Sequence, residues 1–299
     1  MILVTGCTGY IGSRLCRQLL KSGFRVRGLV RPSEREKAKS LIDLGLVPFY
    51  GDLTDLSSLH QISDGVHLIY HLSGVHSTYN NTYGLYVQGT ANLLQSIPNN
   101  QKIAVVVASN GSVYANAAGV HSEDIRLNPN NPFGEITLKM EKIIMKSCEQ
   151  YAILRIGEVY GDHEDDLFIY TQKGIVLLGD GMNYTSKIHI VDLLNVLVKC
   201  IDKFPQGVFN ICDDEPVHQI EFYRYAEELS KTKLVYLKQN MELGERIMLS
   251  IHGLRTLSIA MTNKAIKRQL NYKLTFPTYK DGLKYLHKNK ERFEIEVVL

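Results

Sequence analysis

Three glycines at a fixed spacing, Gly6, Gly9 and Gly12, follow directly on the apolar run Ile2-Leu3-Val4. They lead into a stretch, residues 11–20, whose apolar positions recur at helical intervals. A strand-to-helix turn without side chains lets the backbone close on a pyrophosphate. The helix that follows offers it N–H donors and the positive end of its dipole. The spacing is GxxGxxG, a variant of the commoner GxGxxG pattern. A plain tight turn also accounts for three glycines, and their place at the first strand–helix junction is what points to phosphate binding. Tyr79, Tyr83 and Tyr86 lie four and three residues apart, so a helix brings them to one face, as a packing stripe or with a phenol offered to a ligand. There is no HExxH, EF-hand or P-loop pattern and no Cys/His spacing suited to zinc, so no metal is expected.

Short apolar runs and helical patterns alternate through the first half of the chain and must position these residues. Residues 2–4, 24–30, 47–50, 67–70 and 103–108 read as strands, and 11–20, 34–44 and 83–97 as helices. Continuously apolar strands alternating with helices imply a parallel sheet covered on both faces. The expected fold is therefore α/β, a Rossmann-type doubly wound parallel sheet over residues 1–160. Past 160 the rhythm changes to polar loops, short strands and helices near 220–230, 263–270 and 279–288. This reads as a smaller C-terminal substrate lobe over 161–299, with segments near 187–213 returning to the first domain's core.

The segment TGCTGYIG at 5–12 resembles the opening of the extended short-chain dehydrogenase/reductase family, the NAD-dependent epimerase/dehydratase group. GDLTD (51–55), HLSG (71–74), GTANLL (89–94), SNGSVYA (109–115), LRIGEVYG (154–161), GDG (179–181), IHIVDLL (188–194), NI (210–211) and NKAIKRQLNY (263–272) follow in the family's order. The resemblance implies a dinucleotide held by Gly6, Thr8, Gly9, Tyr10, Ile11 and Gly12 at the first turn. It also implies Asp52 and Leu53 at the adenine, Leu72, Ser73 and Gly74 beside the phosphates, and Ser109 near the nicotinamide. His71, at a strand end near the phosphates, reads as structural. An acidic residue ending the second strand would accept the ribose 2′-OH, but Val30 stands there, followed by Arg31 and, one turn on, Arg35. Guanidinium groups suit a 2′-phosphate, so NADP(H) is expected over NAD(H), with Arg27 adding to the local charge. Two solvated arginines are the alternative.

The family's chemistry, as the resemblance implies it, uses a Tyr acid/base, a Lys four residues later, and a Ser or Thr on the fifth-strand loop. Pro132, Gly134 and Glu141 fix the register of the corresponding stretch, which places Phe133 at the Tyr and Thr137 at the Lys. Asn110 stands at the Ser/Thr position and Tyr86 at a helix Asn. A phenyl ring donates no proton and Thr supplies no cation. The remaining catalytic candidates are Asn110, which either donates to a substrate oxygen or caps its loop, and Tyr86. Glu135 and Glu158 are further carboxylates near the site. On a helix Lys139 and Lys142 point about 120° and 180° away from Phe133. Two readings follow: atypical chemistry on a small polar substrate, nucleotide-sugar-like or a carbonyl/alcohol compound, or a catalytically inactive dinucleotide-responsive regulator or partner subunit.

Across 299 residues, 34 Lys and Arg against 31 Asp and Glu leave a formal charge of +3, with no global field for a polyanion. The basic stretch at 284–292 has no stacking aromatics beside it and reads as a solvated helix end, so no nucleic-acid partner is expected. No apolar run reaches a membrane span. The five dispersed cysteines and an opening without a signal-like segment suggest a cytoplasmic protein. Ile136, Met140, Ile143 and Ile144 offer an apolar face for a homodimer or for burial on the chain's own sheet. The 236–262 segment should face the substrate in this family.

Overall fold

A computed structural model describes residues 1–74, 79–98, 101–114, 119–161, 175–178, 180–231, 233, 236–239 and 257–289. Parts of GDG, of the 236–262 segment and of the basic 284–292 stretch lie outside those residues, as does the Tyr79 side chain. In chain order the first elements are β1 (Ile2–Thr5), α1 (Tyr10–Lys21), β2 (Val26–Val30), α2 (Arg35–Ile42), β3 (Val47–Tyr50) and β4 (Leu68–His71). Then come α3 (Tyr79–Tyr83), α4 (Thr90–Gln95), β5 (Ala104–Asn110), α5 (Pro132–Ser147) and β6 (Tyr151–Ile156). Both β1 and β4 are buried at every position, the mark of strands covered on two faces.

Among the described residues a seven-stranded parallel sheet runs β3-β2-β1-β4-β5-β6-β11, where β11 is Gly207–Ile211. The chain builds outward from β1 to β3, then crosses back to lay β4 on the other side of β1. That reversal opens a crevice past the ends of β1 and β4, where ligands of doubly wound sheets bind. The fold class expected from the sequence is the one observed.

The helix expected over 83–97 is present with a break in period. Gly84–Gly89 forms a π-helical stretch between α3 and α4. Thr90 turns its hydroxyl back onto the Tyr86 carbonyl (2.5 Å), and Gly89 lies so near Leu53 that an added β-carbon would approach its Cβ to 3.1 Å. The wider turn upsets the 3.6-residue spacing assumed for the tyrosines. Tyr86 is buried, whereas Tyr83 is partly exposed beneath the Lys139 ammonium, 5.5 Å from its ring centre. They do not share one face.

The chain divides into two compact units, one formed by residues 1–109, 135–154 and 197–208, the other by 110–134, 155–196 and 209–299. The second unit contains β7 (Glu158–Tyr160), β8 (Ile175–Leu178), β9 (Tyr184–Thr185), β10 (Lys187–His189), β12 (Val217–His218) and β13 (Tyr236–Gln239). These pair as β7–β10, β8–β13 and β9–β12. Its apolar core gathers Tyr160, Val217, Ile220, Phe222, Tyr223 and Tyr279. Several landmark residues meet here. The Tyr114 hydroxyl donates to Asn210 Oδ1 (2.8 Å) and accepts from the Arg155 guanidinium (2.7 Å). Asp192 accepts from the Tyr272 hydroxyl (2.6 Å) and from the backbone N–H groups of Thr275 (2.6 Å) and Phe276 (2.9 Å). Among the described residues no helix is long and apolar enough to cross a membrane.

Candidate functional site

The turn between β1 and α1 is closed on itself by backbone contacts. Gly6 has φ +69°, and a β-carbon on it would lie 2.8 Å from the Leu72 and Ser73 backbone. A β-carbon on Gly12 would sit 2.1 Å from the Gly6 carbonyl oxygen, and one on Gly9 3.2 Å from it. The Gly9 N–H donates to that same carbonyl (3.0 Å). Gly9 caps α1 without a side chain, and no acidic residue stands in the helix's first turn. The helix therefore starts with backbone donors directed at a surface kept bare by glycine, as an anionic phosphate requires. A dinucleotide's pyrophosphate fits such a cradle. Beneath it the Cys7 thiol donates to the Leu29 carbonyl (3.2 Å) against Gly28, and burial pushes the thiol up to about 12.

His71 ties this turn to the neighbouring strand. Its Nδ1 lies 2.8 Å from the Thr5 hydroxyl and its Nε2 3.0 Å from the Thr90 hydroxyl. Thr90 already donates to the Tyr86 carbonyl, so Nε2 carries the proton and Nδ1 accepts from Thr5. Burial holds the imidazole down to about 4, so the folded chain keeps it neutral, while the unfolded chain protonates it near 6.5. Its stabilisation is fully present above about pH 6.5 and is lost as pH falls through that window toward 4, by up to about 3 kcal/mol. Thermal melts between pH 7.5 and 5 should show this slope in the wild type and a flatter one in His71→Gln. Equal slopes would exclude His71 as its source.

At the end of β2 the three arginines part company. Arg27 donates to the backbone carbonyls of Gln61, Ile62 and Asp64, and Arg35 lies over the Tyr50 ring, 4.4 Å from its centre. Arg31 reaches back to Glu34, Nη2 to Oε1 at 2.8 Å and Nε to Oε2 at 3.3 Å. Glu34 Oε2 also accepts from the Thr8 hydroxyl (2.8 Å), inside the glycine turn. These partners, Arg31 first, hold the Glu34 carboxyl below the usual carboxylate range. The expected arginine cluster is thus one arginine paired to an acid. Further on, Asp52 Oδ1 accepts from both the N–H and the hydroxyl of Thr54, and the Leu53 carbonyl is held by Asn92. The Tyr86 phenol oxygen lies 3.0 Å from where a Gly74 β-carbon would stand.

The positions expected to carry catalysis, and those standing at the family's Tyr and Lys, have the following surroundings. Asn131 precedes Pro132 and accepts from the Gly134 N–H (2.7 Å), starting α5 as a side-chain cap with proline in the first turn. Phe133, Thr137 and Glu141 form one buried face of α5, while Glu135, Lys139 and Lys142 are exposed. Ser109 donates to Glu141 (2.5 Å), so its hydroxyl is already engaged within the fold. Asn110 Oδ1 accepts from the Ser112 N–H (3.0 Å), the loop-capping arrangement. Burial pushes the Tyr86 phenol up to about 12, away from the range where a phenol exchanges protons near neutral pH. Glu158 accepts from Thr185 and from the buried Lys187, whose ammonium lies over the Phe222 ring. Ile136, Met140 and Ile144 are buried within the chain, and Ile143 is partly buried.

A model of the NAD dependent epimerase/dehydratase family matches residues 2–212. The chain belongs to that family. It is 28% identical over 229 residues to YtcB of Bacillus subtilis, described as an uncharacterized UDP-glucose epimerase, covering 68% of this chain and 72% of that one. Its fold is similar to UDP-glucuronic acid 4-epimerase from Bacillus cereus, solved with UDP-glucuronic acid and NAD (TM-score 0.74, 23% identity, 96% of this chain and 98% of that one). It is also similar to UDP-glucose 4-epimerase from Thermotoga maritima, solved with UDP-glucose (TM-score 0.77, 19% identity, 97% and 99%).

In this epimerase/dehydratase-family chain, sequence reasoning overlooked Glu34 and read Glu141 only as a register mark. The signal for Glu34 was its place three residues after Arg31 on a turn, within reach of an ion pair. Nothing local pairs Glu141 with Ser109, 32 residues away, or Lys187 with Glu158, 29 residues away.

Proposed function

We propose that this chain binds NADP(H) through the turn after β1 and acts on a small polar substrate, nucleotide-sugar-like or a carbonyl/alcohol compound, without the family's usual Tyr and Lys. The observation that carries the reading is the glycine turn, where the backbone leaves no room for side chains and α1 opens without an acid. Gly6, Gly9 and Gly12 would hold the pyrophosphate, and Arg31 would take the 2′-phosphate through charge-assisted bonds. When bound, the nicotinamide supplies a hydride donor or acceptor. Of the chain's own groups, Asn110 and Tyr86 are the proposed catalytic residues, Asn110 as a hydrogen-bond donor to a substrate oxygen and Tyr86 as a phenol whose raised pKa keeps it protonated. All five cysteines are free and four are buried, which suits a reducing, cytoplasmic compartment. The partner on this reading is a small molecule rather than nucleic acid or a membrane.

Buried Phe133 and Thr137 favour a second reading, a dinucleotide-responsive regulator or partner subunit without turnover. Titration with NADPH and NADH, followed by incubation with a panel of sugar nucleotides while the reduced-nicotinamide absorbance is monitored, separates the two. Turnover supports the enzyme, tight binding without turnover the regulator, and absence of binding removes both. Arg31→Ala should weaken NADPH roughly tenfold or more, as expected for a charge-assisted bond, with far less effect on NADH. Equal losses would remove the 2′-phosphate role.

A further inference from the structure

Asn110 is followed by Gly111, the one Asn–Gly step in the 299-residue sequence. Asn110 ends β5, and Gly111 opens a short turn, Gly111–Tyr114. The Asn110 side chain folds forward over that step, its Oδ1 accepting from the Ser112 N–H at 3.0 Å. A side-chain carbonyl held by the amide two residues on arches over the peptide nitrogen between them, here that of Gly111. The same N–H draws electrons from the carbonyl and stands ready for an oxyanion formed at Cγ. Glycine offers its nitrogen with no side chain to shield it. The fold requires glycine there for a separate reason, since a β-carbon would stand 2.7 Å from Ile259 Cγ2 and 3.2 Å from Met261 Sδ. Packing thus sets a bare nitrogen against a polarised carboxamide. Asn110 is half-buried rather than enclosed, within reach of water. Asp180 and Gly181 repeat the arrangement, with the Met182 N–H donating to Asp180 Oδ1 at 3.0 Å, but an aspartate has no ammonia to lose.

We propose that Asn110 is a site of spontaneous self-modification, converted with time to aspartate and isoaspartate in the folded chain. The Gly111 nitrogen passes its proton to solvent and bonds to Asn110 Cγ. The bond from Cγ to the side-chain nitrogen breaks, and that nitrogen takes up a proton and leaves as ammonia, closing a five-membered imide. One water molecule then opens the ring at either carbonyl. Water is the only co-reactant, and nothing is oxidised or reduced. The product carries a carboxylate, which accepts hydrogen bonds and does not donate them. Where Asn110 donates to a substrate oxygen, as proposed above, the modified chain loses that donor. The modification itself does not rest on that reading.

The test is incubation of the purified chain at mildly alkaline pH, folded and in urea, with peptide fragmentation by mass spectrometry at intervals. In the folded chain Asn110 should gain the mass of an amide-to-acid exchange ahead of every other asparagine, as two products of equal mass. Isoaspartyl methyltransferase should label one of them. Asn110→Gln, whose ring closure would need six members, should show no such gain at that position. Conversion of Asn110 in the folded chain at a rate within tenfold of that in urea, or faster, supports the proposal. Asn110 left intact, converted more than tenfold slower when folded than in urea, or overtaken by another asparagine overturns it, as does the same mass gain at that position in Asn110→Gln. The measurement uses no nucleotide, so its failure leaves the dinucleotide reading standing.

Discussion

Gly12→Ala should abolish dinucleotide binding and lower the melting temperature, because the new methyl would stand 2.1 Å from the Gly6 carbonyl oxygen. No rotamer relieves that contact, since neither partner is a movable side chain. Either α1 shifts along its axis or the turn opens, and both displace the N–H groups that would meet a pyrophosphate. Overpacking of this kind costs about 1–3 kcal/mol, and misplacement by about 1 Å can cost roughly a hundredfold in function. For a chain of this length we expect Tm to fall by roughly 3–10 °C, measured by circular dichroism, and NADH and NADPH titrations to lose saturation. Gly84→Ala is the matched control, because a β-carbon there meets nothing within 4 Å. If Gly12→Ala binds both nucleotides as the wild type does, the turn is not the phosphate site.

Asp192→Ala should be among the most destabilising single changes in the second unit. The side chain is fully buried and accepts one phenol and two backbone N–H groups, at 2.6, 2.6 and 2.9 Å. Removing it leaves three donors without that acceptor at a cost of about 1–3 kcal/mol each, less whatever water recovers. A net loss of about 3–5 kcal/mol corresponds to a fall in Tm on the order of 10 °C. Asp192→Asn keeps Oδ1 for Tyr272 and Thr275 but turns an amide donor toward the Phe276 N–H, so its melt should fall between the two. Coincident melts for all three proteins would show that the contacts carry no stability.

The sheet was legible because its strands advertise themselves. Ile2-Leu3-Val4 and Leu68-Ile69-Tyr70 are runs without a charged residue, as suits a strand covered on both faces, and β1 and β4 appear there within a residue or two. The glycine turn was legible because a β-carbon is excluded there by backbone alone. What escaped was pairing at a distance and local departures from period. Arg31, Arg35 and Arg27 read as one basic cluster, yet each found a different partner, an acid, an aromatic face and a set of carbonyls. The tyrosine stripe failed because Thr90 and Gly89 accommodate a π turn that a 3.6-residue template does not contain. The ordered landmarks turned out to owe part of their pattern to architecture. Tyr114, Arg155 and Asn210 come from three separate motifs and join in one buried hydrogen-bonded group, and Asp192 and Tyr272 link two more.

The thiol of Cys7, wedged between the Leu29 carbonyl and Gly28, gives the glycine turn a built-in clock. Buried and held far from its thiolate form, it is silent toward alkylating reagents while the turn is shut. Each excursion that parts β1 from β2 uncovers it, so its modification counts openings of the element that would grip the phosphates. Cys148, half-buried just past the end of α5, supplies an internal reference on the same molecule. A ligand seated on the turn would slow the first reaction and leave the second unchanged, turning a packing detail into a measure of occupancy that needs neither turnover nor a known substrate.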